Sequence, residues 1–384
     1  MKSGTQMQGG VALSAAAGLV ALGAAGSAAG GPRLAALATV GFLAGVALYH
    51  ASFGFTSAWR RLILDRRSAG VRAQVVMLAA TVVVSFPLLA AGEAGALDVS
   101  GFVNPVGMAL GCGAFLFGIG MQLGGGCGSG TLYTAGGGSL RMIVTLAAFI
   151  LGSVVATANP LGWMSWPALA PVSIIATAGL PASLLIAALL LATAYAAART
   201  VETRAHRGTE PLTQSAAGTI LAGPWPIVAG ALALSAVNIA TLLLAGRPWG
   251  ITAAFALWGA KAAAVAGVDV ASWPYWRGDA ALTHSIFADI TSVMNFGIML
   301  GALAAAGLAG RFSLRQPLPT KSLIAAVLGG LAMGMGARLA TGCNIGAFFS
   351  GTISGSVHGP VWLVFAFAGN WAGVQLRPSF DLPR

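Results

Sequence analysis

Two cysteines carry the chemistry this sequence offers. Each sits in a small-residue run: Gly124-Gly125-Gly126-Cys127-Gly128-Ser129-Gly130 and Ala340-Thr341-Gly342-Cys343-Asn344-Ile345-Gly346. A helix opening at such a cysteine presents unpaired backbone N–H groups and the positive end of its dipole, which suits an anion. Gly125, Gly126 and Gly128 in the first run, and Gly342 and Gly346 in the second, allow close backbone approach, with Asn344 beside the second thiol. A thiol adds a weak S–H donor and a soft, polarisable contact. Sulphur-bearing anions suit that combination better than hard oxyanions. The same position favours thiolate, but a thiolate repels an anion, so the protonated thiol is the expected working form. A buried cysteine is otherwise a small apolar filler, and Cys112, between Gly111 and Gly113, is read that way.

An internal repeat sets these two residues apart. Residues Gly118-Ile119-Gly120-Met121-Gln122-Leu123-Gly124-Gly125-Gly126-Cys127 align without gaps on Gly334-Met335-Gly336-Ala337-Arg338-Leu339-Ala340-Thr341-Gly342-Cys343, with five of ten positions identical. Earlier in each half, Gly54-Phe55-Thr56-Ser57-Ala58 pairs with Gly250-Ile251-Thr252-Ala253-Ala254. Two elements in the same order, sharing a cysteine, point to duplication. Thr56 and Thr252 are either pathway hydroxyls or hydroxyls bonded back to their own helix.

The elements that must position these residues are membrane helices. The chain has 384 residues, 57% hydrophobic and 8% charged, against roughly 25% charged in soluble domains. Runs of about 20 apolar residues, the length a spanning helix needs, recur nearly end to end, and the alternation of a membrane barrel is absent. They fall at about 11–30, 34–50, 73–92, 105–121, 141–158, 180–198, 224–245, 284–309, 321–340 and 361–376, ten spans taken as five to each repeat, although six lie before residue 210 and four after it. The first run also admits a signal-peptide reading; the repeat accounts for it as a helix. The net charge is +11. Its basic residues sit in short connections, at Arg60–Arg72, Arg199–Arg207, Arg311–Lys321 and Arg377 with Arg384, so they mark the cytoplasmic side rather than nucleic-acid binding. The loop at 199–207 divides the chain into 1–210 and 211–384. Residues 261–283 are expected as an outer connection, with His284 and His358 at the outer interface and Asp289 solvated near a span end. Five spans per half invert the second half, which is the arrangement of many secondary transporters. Irregular backbone at membrane depth is tolerated only in protein or along a cavity, so the interruptions at 124–130 and 341–346 point to a pathway. Three widely spaced cysteines make no disulfide framework, four scattered histidines make no metal signature, and no cofactor motif is present.

At these residues the chain resembles the YeeE/YedE family of bacterial inner-membrane proteins, whose studied members import thiosulfate. Phe117–Thr131 carries the likeness most specifically and Thr341–Gly346 next, within a resemblance spanning about 40–376. The family implies an all-α, hourglass-shaped protein of two inverted halves, with short re-entrant helices meeting at a central constriction. It implies that Cys127 and Cys343 hand a small sulphur anion along by hydrogen bonds, and that a TusA-like cytoplasmic sulphur carrier is a partner. Thiosulfate-importing members have a further cysteine in the first short helix. This chain has Phe55-Thr56-Ser57 there, so Thr56 or Ser57 replaces it or the substrate differs, selenium species included. A membrane-embedded sulphurtransferase carrying a persulfide is the enzymatic alternative. It needs a base or cation beside each thiol. Arg338 stands near Cys343, but Gln122 fills that position before Cys127, which weighs against an enzyme.

Overall fold

The computed structural model describes residues 7–95, 97–214 and 219–383; Arg384 lies outside them. The described chain is all-α apart from four two-residue strands paired in twos. The helices are α1 (Gly9–Gly30), α2 (Pro32–Ala51), α3 (Phe55–Leu64), α4 (Ala69–Ala91), α5 (Met108–Gly124), α6 (Gly128–Gly136), α7 (Leu140–Thr157), α8 (Ile174–His206), α9 (Ile227–Ala245), α10 (Thr252–Val265), α11 (Ile290–Leu308), α12 (Thr320–Leu339), α13 (Ser350–Ile353) and α14 (His358–Leu376). A π-helical turn, Asn344–Phe349, leads into α13. Among the described residues nine helical stretches are long and apolar enough to cross a membrane, the short α3, α6 and α13 being counted with the helices before them. The expected run at 361–376 is α14, which has spanning length but carries His358, Asn370 and Gln375 and falls outside those nine.

The packing partners come in matched sets. Helix α1 lies on α11 as α8 lies on α4; α2 on α11 as α9 on α4; α7 on α12 as α14 on α5; and α10 on α7 as α3 on α14. Helices α2 and α9, and α5 and α12, cross each other directly. In this pairing α8 stands where α1 does.

Lipid tails are as apolar as leucine, so helices associate through close packing of small residues. Gly118 of α5 and Gly334 of α12 are aligned in the sequence repeat and do the same work. A Cβ on Gly118 would strike the Ala366 carbonyl of α14, and one on Gly334 the Phe149 carbonyl of α7. Between α5 and α12, a Cβ on Gly336 would come within 2.6 Å of the Gly113 carbonyl oxygen. The two interrupted helices, α5 and α12, and their partners α14 and α7 are thereby locked backbone to backbone. Cys112, by contrast, is exposed on the outside of α5.

The face carrying the 60–72 loop, termed the inner face, is tied to α8. Glu202 is fully buried and accepts hydrogen bonds from Ser68 Oγ at 2.6 Å and Arg72 Nη2 at 3.0 Å. Arg61 pairs with Glu210 at 2.8 Å, and the His206 ring meets the Asp65 carbonyl at 2.8 Å. At the opposite, outer face two expectations, on Lys261 and His358, are corrected, while Asp289 stands near a span end as expected. Lys261 lies inside α10, whose ammonium donates to the Leu282 and His284 carbonyls, so the connection begins later than 261. His358 is fully buried, held by Ser356 Oγ at 2.6 Å and facing Asn104. Asp289 caps α11 by accepting from Ser292 N at 2.7 Å.

Replacing Gly334 with Val is expected to cost about 1–3 kcal/mol or more through overpacking against α7. Cys112→Ala on the outside of α5 should stay within about 0.5 kcal/mol. Thermal unfolding of the detergent-solubilised protein measures both.

Candidate functional site

The two interrupted helices bring Cys127 and Cys343 to the middle of the fold from opposite sides. Helix α5 ends at Gly125, whose φ of +90° is the left-handed conformation that favours glycine. Cys127 is then the N-cap of α6. Helix α6 runs out to Gly137 and Gly138, which pack on Tyr49 and Phe312 at the inner ends of the bundle. In the second half, Cys343 is the N-cap of the π-helical turn. That segment runs the other way, to Ser354 and Ser356, against Gly101 and Ser173. No side chain caps either short helix. Both thiols are buried, at 1% and 0% exposure. A Cβ on Gly128 would sit 3.0 Å from Cys343 Sγ, and one on Gly130 3.4 Å from Cys127 Sγ. Ser129 Oγ lies 3.5 Å from Cys127 Sγ. Glycine at 128 and 130 is therefore what makes room for the sulphurs.

The predicted threonines sit one layer further out, each met by the residue aligned across the repeat. On the inner side, Gln122 Nε2 donates to the Thr56 carbonyl at 3.0 Å and to Asn370 Oδ1 at 2.6 Å. On the outer side, Arg338 Nη2 donates to Thr252 Oγ1 at 2.9 Å and Nη1 to Tyr275 Oη at 3.0 Å. Thr252 therefore contacts its partner through its hydroxyl, whereas Thr56 uses its carbonyl.

A cavity of about 210 Å³ opens at Gly342 and Gly346, the residues flanking Cys343, without the thiol itself lining it. Its walls include Thr252, Arg338, Thr341, Gly342, Gly346, Gly250 and Arg247. Two guanidinium groups line it and no carboxylate does. Burial lowers the Arg247 pKa, the larger influence, while the charge of Asp289 raises it. Predicted Gly346 is open towards this space, since a Cβ there would meet only Gly250 Cα at 4.0 Å. Gly342, at φ +153°, is instead packed against Ala347. Gly125 and Gly126 likewise serve the turn, against Arg141 and Thr131.

Several buried polar atoms around the thiols lack a hydrogen-bond partner: Thr56 Oγ1, Gln122 Oε1, Asn370 Nδ2, Asn295 Oδ1, Arg338 Nε and both side-chain atoms of Asn344. Such groups cost stability unless something satisfies them. They form a buried polar layer within an otherwise apolar protein.

Loose carbonyls at the end of α5 are closed by cations. Arg141 Nη1 donates to the Gly124 carbonyl at 2.8 Å and Nη2 to that of Leu123, and Arg377 Nη1 donates to the Gln122 carbonyl at 2.6 Å. Burial first, then the neighbouring Arg60 and Arg141 charges, lower the Arg377 pKa to about 10, so it remains a cation at neutral pH. Sequence reasoning singled out the cysteines and threonines and missed Asn370, Asn295, Tyr275 and Arg247. Polar residues inside apolar runs were the available signal for the two asparagines. Tyr275 and Arg247 lie in connections and carried none.

Fold and site together define a multi-pass membrane protein with interrupted helices that place polar groups at its centre. The chain belongs to the sulphur transport family, which it matches over residues 50–372. It is 29% identical over 356 residues to a thiosulfate transporter TsuA of Spirochaeta thermophila, covering 86% of this chain and 95% of the relative. A thiosulfate transporter TsuA of Escherichia coli K12 is 25% identical over 384 residues, 88% of this chain and 94% of the relative. A probable transporter YedE of E. coli K12 is 31% identical over 161 residues, 41% of this chain, and the match spans only 40% of that relative's length.

Gln122→Leu leaves the Thr56 carbonyl and Asn370 without their donor. It should destabilise by about 1–3 kcal/mol, read as a lower unfolding temperature at unchanged helix content.

Proposed function

We propose that this protein carries a small sulphur-containing anion, thiosulfate first, across the bacterial plasma membrane, and that Cys127 and Cys343 line the path. The observation that carries this is the pair of buried thiols, each starting a short helix that runs to the opposite face, beside a cavity walled by Arg247 and Arg338. The near-full-length likeness to two thiosulfate transporters supports the cargo. Gly128, Gly342, Gly346 and Asn344 shape the outer approach, Gly125 and Gly126 the inner turn, and Thr252 and Thr56 the flanking layers.

The halves are proposed to be inverted repeats. The matched packing partners support this, and they support a join between α7 and α8 rather than at residue 210, since α8 then takes the place of α1. Five spanning helices per half follow: α1, α2, α4, α5 and α7, then α8, α9, α11, α12 and α14. The basic inner face, with Arg60, Arg61, Arg66 and Arg67, is the proposed surface for a small TusA-like sulphur carrier.

Transport, rather than persulfide chemistry, fits the placement of Arg338. Its two terminal nitrogens are committed to Thr252 and Tyr275, and the aligned Gln122 offers Cys127 no cation. The carried anion passes each thiol as a hydrogen-bond acceptor, with S–H donating.

The test is growth of a bacterium lacking its sulphate and thiosulfate importers on thiosulfate as sole sulphur source. Wild type should rescue; Cys127→Ala and Cys343→Ala, at matched membrane levels, should not. Rescue by all three makes the cysteines filler and overturns the paired-thiol path. No rescue by wild type excludes thiosulfate, and uptake of radiolabelled selenite then tests the selenium alternative. Flux into proteoliposomes should not climb as pH rises through about 8.5, the usual thiol pKa; a steep gain there would mean that thiolate is the working form.

A further inference from the structure

The repeat is nearly symmetric in geometry and unequal in charge. Gln122 and Arg338 occupy the same aligned position, five residues before Cys127 and Cys343. Each reaches the threonine of the neighbouring short helix: Gln122 to Thr56 and Arg338 to Thr252. One carries a fixed positive charge and the other is neutral. Arg338 is 7% exposed, and its Nε–H is buried without a partner while the residue lines the outer cavity.

We propose that Arg338 is the anion-binding residue of the outer half-site and that Gln122 is its deliberately weak inner counterpart. This deepens the transport reading and rests on it. The unpartnered Nε–H and the guanidinium charge give an anion a charge-assisted hydrogen bond next to Cys343. Past the thiols, the aligned place offers a neutral amide whose free atom is the acceptor Oε1, with only the neutral donors Thr56 Oγ1 and Asn370 Nδ2 beside it, so that layer meets an anion without the charge assistance Arg338 gives. The inner arginines are close, Arg377 donating to the Gln122 carbonyl itself, but they are held on helix-end carbonyls rather than at a side-chain position equivalent to that of Arg338. Arg141 and Arg377 point their hydrogens into helix-end carbonyls, and Arg60 lies one helical turn beyond Thr56 towards the inner face. The gradient alone sets the direction of net flux. The charge difference sets affinity on each side: tight outside, weak inside.

Proteoliposomes of known orientation, with radiolabelled thiosulfate, test this. Wild type should show a half-saturating concentration about tenfold or more lower from the outer side than from the inner. Arg338→Gln should raise the outer value about tenfold or more with maximal flux within about twofold, and Arg338→Lys should recover part of it. Gln122→Arg should lower the inner value and slow maximal flux, because release becomes limiting. The double swap, Arg338→Gln with Gln122→Arg, should reverse the preference. Equal half-saturation from the two sides in wild type, or an unchanged outer value in Arg338→Gln, overturns the assignment and leaves transport standing. Absence of any saturable uptake of thiosulfate, sulfite or selenite by wild type overturns the transport reading itself, and this assignment with it. Should the variants fail to fold, wild-type crystals soaked in bromide decide. Anomalous density beside Arg338 Nε supports the site, and its absence there overturns it.

Discussion

A helix that breaks inside a membrane must have its loose backbone groups satisfied by protein, because lipid offers none. The rest of this structure follows from that constraint. Two helices break, after Gly124 and after Leu339. At the first break Arg141 and Arg377, from the ends of α7 and α14, close the Gln122, Leu123 and Gly124 carbonyls. Beyond the second, Ser350 at the start of α13 donates from Oγ to the Trp249 carbonyl at 2.6 Å, and Trp249 N donates to Asn238 Oδ1, which ties the segment after the break to the entry of α10. The carbonyls of the first break are therefore braced by elements that follow it in sequence.

Close helix crossings make that bracing possible. Long side chains at 118, 334 or 336 would push α5, α7, α12 and α14 apart, and the arginines could no longer reach the carbonyls they close. The glycines that look like low-complexity sequence are thus the reason the cations can be short-range partners. They also let the thiols come near each other's helices, with Gly128 packed on Cys343 Sγ. Packing and polarity are one design here. The apolar lattice is tight enough to hold a buried layer of amides, hydroxyls and thiols, several with no protein partner.

Much of this was legible in the sequence. Hydropathy located the spanning helices, and the Cys127 and Cys343 runs located both breaks, because glycine clusters have no other reason to interrupt long apolar stretches at matched places. His358 misled, since a histidine opening a run looks interfacial, whereas Ser356 and Asn104 provide it with buried partners. Lys261 misled for the opposite reason: its stem spans the side of α10 and its ammonium reaches carbonyls more than 20 residues away, so a charged residue did not end the helix.

Sequence alone determined the membrane class, the repeat and its two thiols, since each depends on composition or on residue identity at aligned positions. Only the tertiary structure decided what Thr56 and Thr252 contact, that Gln122 and Arg338 are their partners, and that Arg247 and Arg338 share a cavity. Those facts depend on which helix faces meet across 60 or more residues of chain, as Gln122 meets Thr56. No local pattern of apolar residues specifies that choice when nearly every helix face is apolar.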